Sequence, residues 1–373
     1  MDAPTHIIDP VGEVIIVLSN ANAPLPEVDD QAYRNLSDTN EDWENDQDIS
    51  VLPSNLQSTL LGDITHRAPS PLKHDDAVVR SEDNAEHTEM TDGTATSTDE
   101  VFRIQVSAKH LSLASPVLKA LLTGGWKENV TLLQKGSVEI TAESWDLDAL
   151  LIMLRIIHGQ HSLVPRDIDL KMFAKIALIV DYYECSEAMG IAADLWISKL
   201  QPCPNVMCRD LVFWMWISWA FRLPEIFQQA TSTAMSTSDH AIPHIGFPIP
   251  DGVIALMNTR REIALGKLFS LIHETQEALL SGRVGCGFAC SSIMYGALAK
   301  QIQNTVLALE PGAPFNGITY DQVRLLVSSI VSPMWWSEAP APGLRFRHHS
   351  SRASEKLQER VEGLDVISLC EKK

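Results

Sequence analysis

Cys286 and Cys290 stand four residues apart in the run CGFAC, a spacing that puts two thiols on one face of a helix. With His348, His349 or Cys370 they could make the four sulfur and nitrogen ligands of a tetrahedral zinc ion. The same pair can also pack as two small buried thiols at the start of a helix, since uncharged cysteine behaves as a small hydrophobe. No C-x-x-C pair is present, and we read the two as packed thiols and assign no metal ligand. Acid–base and nucleophilic chemistry have less to work with. His110, His158 and His161 have no acidic or nucleophilic partner at a telling spacing. G-x-S-x-G, the P-loop, the dinucleotide-binding glycine run and H-E-x-x-H are all missing. Gly124-Gly125 follows a helical pattern instead of preceding one, so it is no phosphate cradle. The sequence therefore names no catalytic residue, no cofactor-binding residue and no cofactor, and we expect a protein that is not an enzyme.

Charge narrows the class of partner. The 373 residues carry a formal net charge of −19. Between Glu27 and Glu100 lie 19 acidic and 4 basic residues, and the rest of the chain is close to neutral. Nucleic-acid affinity comes mostly from cations meeting phosphates, so this balance argues against a nucleic-acid partner. The acidic stretch has no sustained hydrophobic period and few large apolar residues, which predicts disorder. Acids follow a hydroxyl at Thr39 and again at Ser97, where phosphate would deepen the negative field, but a solvated linker is the simpler reading. The six cysteines are sparse, and no signal-like apolar run with a basic flank opens the chain. We expect reduced thiols in the cytosol or nucleus. The most apolar run, Leu211 to Phe221, is 11 residues, against about 20 for a membrane span.

The elements that would position any site follow from periodicity. Val14 to Leu18 is a β-prone run after the turn residues Asp9, Pro10 and Gly12. Phe102, Ile104 and Val106 alternate with polar residues, as in a half-buried strand. Lys109 to Ala114 predicts a short helix. Ser115 caps a second helix that begins on Pro116 and ends at Gly124 and Gly125. Ser137 to Thr141 predicts a short strand. A helix is expected from Ser144, then one over Leu170 to Tyr183, and one over Glu187 to Leu200 that packs through Ile191, Leu195 and Trp196. Arg209 to Leu223 is apolar nearly all round and predicts a central buried helix, so its cluster of Phe213, Trp214, Trp216, Trp219 and Phe221 reads as core. A Ser/Thr/Pro-rich loop follows Pro224 as far as Asp251. Helices are expected over Gly252 to Ser281, Ser291 to Leu309, and from Thr319, which forms a capping box with Gln322, to Ile330.

Residues 102 to 200 resemble the BTB/POZ domain. The marks are the strand FRIQV, the hairpin HLSLASPVLKALLTGGW with Ser115-Pro116 between its helices, His110 ahead of the first helix's leucine, a strand carrying Glu139 and Ile140, and three helices. His6 to Leu18 is similar to the family's first strand. More narrowly, the chain is similar to a filamentous-fungal group of BTB-domain proteins, on motifs such as IIDPVGEVIIVLSNANAP, VPRDIDLKMFAKIALIVDYYECSEA and RDLVFWMWISWAFRLPEIF. The resemblance implies an α/β (α+β) N-terminal domain, mainly helical with a short sheet, followed by an all-α C-terminal domain. Residues 5–26 would hold the first strand, 27–100 the acidic insert, 101–201 the body of the domain, 205–335 the helical domain, and 336–373 a partly disordered tail. It also implies a protein–protein interaction module whose partners are a second copy of the chain or a cullin scaffold. In the cullin case the helical domain would present a target for ubiquitin transfer. A scaffold that only self-associates and a zinc-dependent binder are the alternatives. The helix that usually precedes the first strand in strand-exchanged dimers of this family has no counterpart here, which argues against that dimer. No membrane or small-molecule partner is implied.

Overall fold

The computed structural model describes residues 3–25, 101–124, 126–309, 311–333, 336–338, 345–347 and 360–370. The acidic stretch 27–100, His348 and His349 lie outside them. The described chain is mainly helical around a small mixed sheet.

The sheet has four strands, β1 (His6–Ile7), β2 (Val14–Ser19), β3 (Phe102–Val106) and β4 (Val138–Glu143), in the order β1-β3-β2-β4. β2 runs antiparallel to β3 and parallel to β4. Its Val14, Ile16 and Leu18 point into the core, as do Val138, Ile140 and Ala142 of β4, the period of two expected of half-buried strands. Asp9 builds the turn between β1 and β2: its carboxylate accepts from Val11 N at 3.0 Å and its carbonyl from Gly12 N at 3.0 Å. Gly12 is required there, since a Cβ would stand 2.4 Å from the Val106 carbonyl oxygen.

Helices α1 (Ala108–Ala114) and α2 (Pro116–Thr123) follow β3. Ser115 between them does two things at once. Its hydroxyl accepts from Leu118 N at 3.0 Å, capping α2, and donates to the Tyr183 carbonyl at 2.5 Å. Pro116 then costs no hydrogen bond at the first helical position. A third helix, α3 (Lys127–Lys135), precedes β4 and has no counterpart in the sequence expectation.

α4 (Leu147–Ile157) begins three residues later than the expected Ser144 and is capped by Asp146, whose carboxylate accepts from Ala149 N at 3.0 Å and pairs with Lys175. Ser144 instead takes a left-handed backbone at φ 67, ending the strand. After a 3-10 turn (His161–Leu163) come α5 (Leu170–Tyr183), capped by Asp169, and α6 (Ser186–Ile197). On α6 the inward residues are Met189, Ala193 and Trp196, whereas Ile191 is 90% exposed and Leu195 also faces out. Trp196 sets this rotation: its indole donates to the Pro165 carbonyl at 2.9 Å and meets Phe173 edge-on.

α7 (Arg209–Ala220) is buried from Leu211 to Ala220 and packs against α5, where the Trp216 indole donates to the Ala174 carbonyl at 3.2 Å. The aromatic cluster is core, as its all-round apolarity implies. The segment after Pro224 corrects the expectation of a loop. It forms α8 (Pro224–Thr237), with Phe227, Ala230, Thr231, Thr233, Ala234, Met235 and Ser236 buried. Ser and Thr disfavour helix interiors by competing for the backbone, but here Thr231 and Thr237 bond the carbonyls four residues back, at 2.7 and 2.8 Å.

The remaining helices are α9 (Asp251–Leu280), α10 (Phe288–Ile302) and α11 (Tyr320–Ser329), the last capped by the Thr319 hydroxyl. A second 3-10 turn (Val306–Ala308) lies between α10 and α11. Arg261 of α9 is buried and gives its guanidinium to the carbonyls of Ser238, Pro314, Phe315 and Ile318 at 2.8 to 3.0 Å. Short strands β5 (Trp336–Glu338) and β6 (Arg345–Arg347) pair antiparallel. In the expected tail, residues 360–370 are packed instead, with Val361, Leu364 and Val366 buried and a last helix α12 (Val366–Cys370). No helix among the described residues is long and apolar enough to cross a membrane.

Candidate functional site

The chemistry-bearing side chains fall at separate places. His158, at the C-cap of α4, is half-buried and sits between two backbone groups: its Nε2 accepts from Ser107 N at 3.0 Å and its Nδ1 lies 2.7 Å from the Leu154 carbonyl. An N–H pointing at Nε2 fixes the proton on Nδ1, so the ring is neutral and donates to Leu154. Burial holds its pKa below the usual 6.5, and the neighbouring His110 pushes the same way. His110 stacks on it with ring centroids 4.8 Å apart. The pair thus ties the junction of β3 and α1 to the end of α4, a structural task that neither residue's spacing reveals.

Cysteine reactivity needs thiolate, and the environment works against it. Burial pushes Cys185 up to about 12 and Cys203 up to about 11. Cys286 is exposed and precedes α10, which corrects the expectation of two buried thiols, while Cys290 in the first turn of α10 is half-buried. A hydrogen bond with Cys290 raises the Cys286 pKa. Among the described residues, no group of three or more His, Cys, Asp or Glu side chains is gathered as a metal site would need. An open groove of about 620 Å³ runs between α9 and α10, lined by Phe269, His273, Glu274, Lys300, Gln303 and Leu307 among others.

The more distinctive surface is apolar. Trp126, at the N-cap of α3, and Val130 and Leu133 within it make an outward stripe at spacings of four and three, while Leu132 packs toward the core. Trp126 is 62% and Leu133 79% exposed. Leu113 of α1 and Val117 of α2 are exposed as well, on helices that pack in succession against one another and against α3. An amphipathic helix normally turns such a stripe inward. Here five large apolar side chains between Leu113 and Leu133 face solvent, a concentration of the kind that marks contact surfaces. No helix is expected here from the sequence, and only the packing tells which way these side chains face. No protein-family model matches the chain, and no curated protein sequence matches it.

Proposed function

We propose that the protein is a protein–protein interaction module of the BTB/POZ type, acting in the cytosol or nucleus. The observation that carries the reading is the outward apolar stripe Trp126, Val130 and Leu133 along α3, with Leu113 and Val117 exposed on the two preceding helices. Burying such side chains against a partner gains about 25 cal/mol for each Å² removed from water, with aromatic anchors dominating. The order of strands and helices from β2 to α6, and the double use of Ser115 as cap and tie, also support it.

The partner is a second copy of the chain or a cullin-type scaffold, with the helices from α7 onward left to hold a target. The test is Trp126→Glu combined with Leu133→Glu in the full chain, followed by light scattering of the purified protein and cullin immunoblotting of complexes recovered from native cells. Loss of association with little change in melting temperature supports the reading. A wild type that is monomeric and recovers no cullin overturns it, as does a double variant that keeps the same associations. Self-association without cullin selects the scaffold form of the function.

A further inference from the structure

The 360–370 segment is held in an unusual way. The α8 hydroxyls and one α9 arginine bind its main chain. Ser236 Oγ accepts from Val361 N at 2.9 Å, Ser232 Oγ donates to the Val361 carbonyl at 2.6 Å, and Thr231 Oγ1 accepts from Leu364 N at 2.9 Å. Arg260 Nη1 donates to the Gly363 carbonyl at 3.0 Å and the Glu362 carbonyl at 3.3 Å. Five main-chain groups across the four residues Val361 to Leu364 are thereby met by side chains of the body, with no strand pairing involved. Side-chain recognition is added at both ends. Arg360 donates to Thr233 Oγ1 at 2.6 Å and to the Asn205 carbonyl at 3.2 Å, and Val361, Leu364 and Val366 enter the core. Between them Gly363 lies flat on α8, where a Cβ would come within 1.9 Å of the Gln228 carbonyl oxygen and 2.7 Å of its carbon.

Main-chain hydrogen bonds that give affinity, with pockets for alternate side chains that give selectivity, are how proteins read extended peptides. We propose that α8, together with Arg260, is a peptide-reading groove, and that the chain's own 360–370 segment is its exchangeable ligand. The groove selects an extended Arg-aliphatic-x-Gly-Leu peptide, as Arg360 to Leu364 spell out. The groove lies apart from the α3 stripe, and its test does not depend on that surface.

The experiment keeps the full chain. A protease site placed between His349 and Ser354 is cut after folding, and a fluorescent peptide spanning residues 355–373 is added in excess. The expected result is a body that stays folded and takes up the labelled peptide by anisotropy. A peptide with Gly363→Ala should bind roughly 10- to 100-fold more weakly, because the added methyl meets helix backbone that cannot shift cheaply. Unfolding of the body on cleavage would make the segment an ordinary part of the core and overturn the proposal. So would a resident fragment that never exchanges, or equal binding of the two peptides.

Discussion

α7 and α8 are consecutive, pack on one another and are both buried, but they reach burial by opposite chemistry. α7 fills its surroundings with Leu, Val, Phe, Met and Trp, and its polar atoms are few: the Ser218 hydroxyl bonds back to the Trp214 carbonyl, and the Trp216 indole reaches α5. α8 buries Thr231, Thr233 and Ser236, and its hydroxyls are matched by its own carbonyls or by the 360–370 segment. An apolar helix is stable against any apolar wall. A hydroxyl-rich helix needs particular partners, because a buried polar group left unmatched costs about 1 to 3 kcal/mol. The first kind of burial is tolerant and strong, the second conditional and selective.

That contrast sets an order of effects. Trp216→Ala removes a fully buried indole that stacks on Phe247, and should lower stability by about 3 to 5 kcal/mol in urea denaturation. Thr231→Val keeps the shape and removes only the oxygen, stranding Leu364 N, so the expected loss is about 1 to 3 kcal/mol. Thr231→Ser keeps the bonds and should cost clearly less than Thr231→Val. If valine there is harmless, the hydroxyl face of α8 is not conditional and the contrast fails.

The pH dependence sharpens it from outside both helices. His158 is neutral in the folded chain with its pKa lowered from 6.5, mainly by burial, so the unfolded chain binds the proton more readily. Its contribution is complete above pH 6.5 and declines as pH falls through 6.5 toward the lowered folded value. Wild type should therefore lose more stability between pH 7.5 and 5.5 than His158→Gln does, while the gap between Trp216→Ala and Thr231→Val should stay constant, since none of those groups titrates there. The smallest effect belongs to Ile191→Lys on α6, within about 0.5 kcal/mol by thermal melting, because the side chain is almost wholly exposed.

The same contrast explains what the sequence could tell. FRIQV, the Ser115-Pro116 junction, Leu170–Tyr183 and the all-round apolar α7 are legible, because alternation, capping chemistry and hydrophobicity act locally. α8 is not, since ATSTAMSTS is helical only once its hydroxyls are matched, some of them by residues more than 100 positions away. Val361 to Val366 is hidden for the reciprocal reason: its partner is a helix that does not look like one. Ile191 and Leu195 show the limit of periodicity, as Trp196 decides the rotation of α6 through one bond to Pro165. Of the surface features, α3 is missing from the sequence expectation, and the direction it faces is a property of packing.

The arrangement of the sheet also governs how the protein is made. β2 is hydrogen-bonded on one side to β3 and on the other to β4, and residues 20 to 101 separate it from the first of these partners. Translation proceeds at about 5 to 20 residues per second, so roughly 6 to 25 seconds pass between synthesis of Ser19 and of Glu143. Until Val106 has been made VIIVLS is a nascent strand with both edges open, and its second edge stays open until β4 follows, the form most prone to pair with a wrong chain. Slowed translation between the two should lower soluble yield while leaving the stability of the finished molecule untouched.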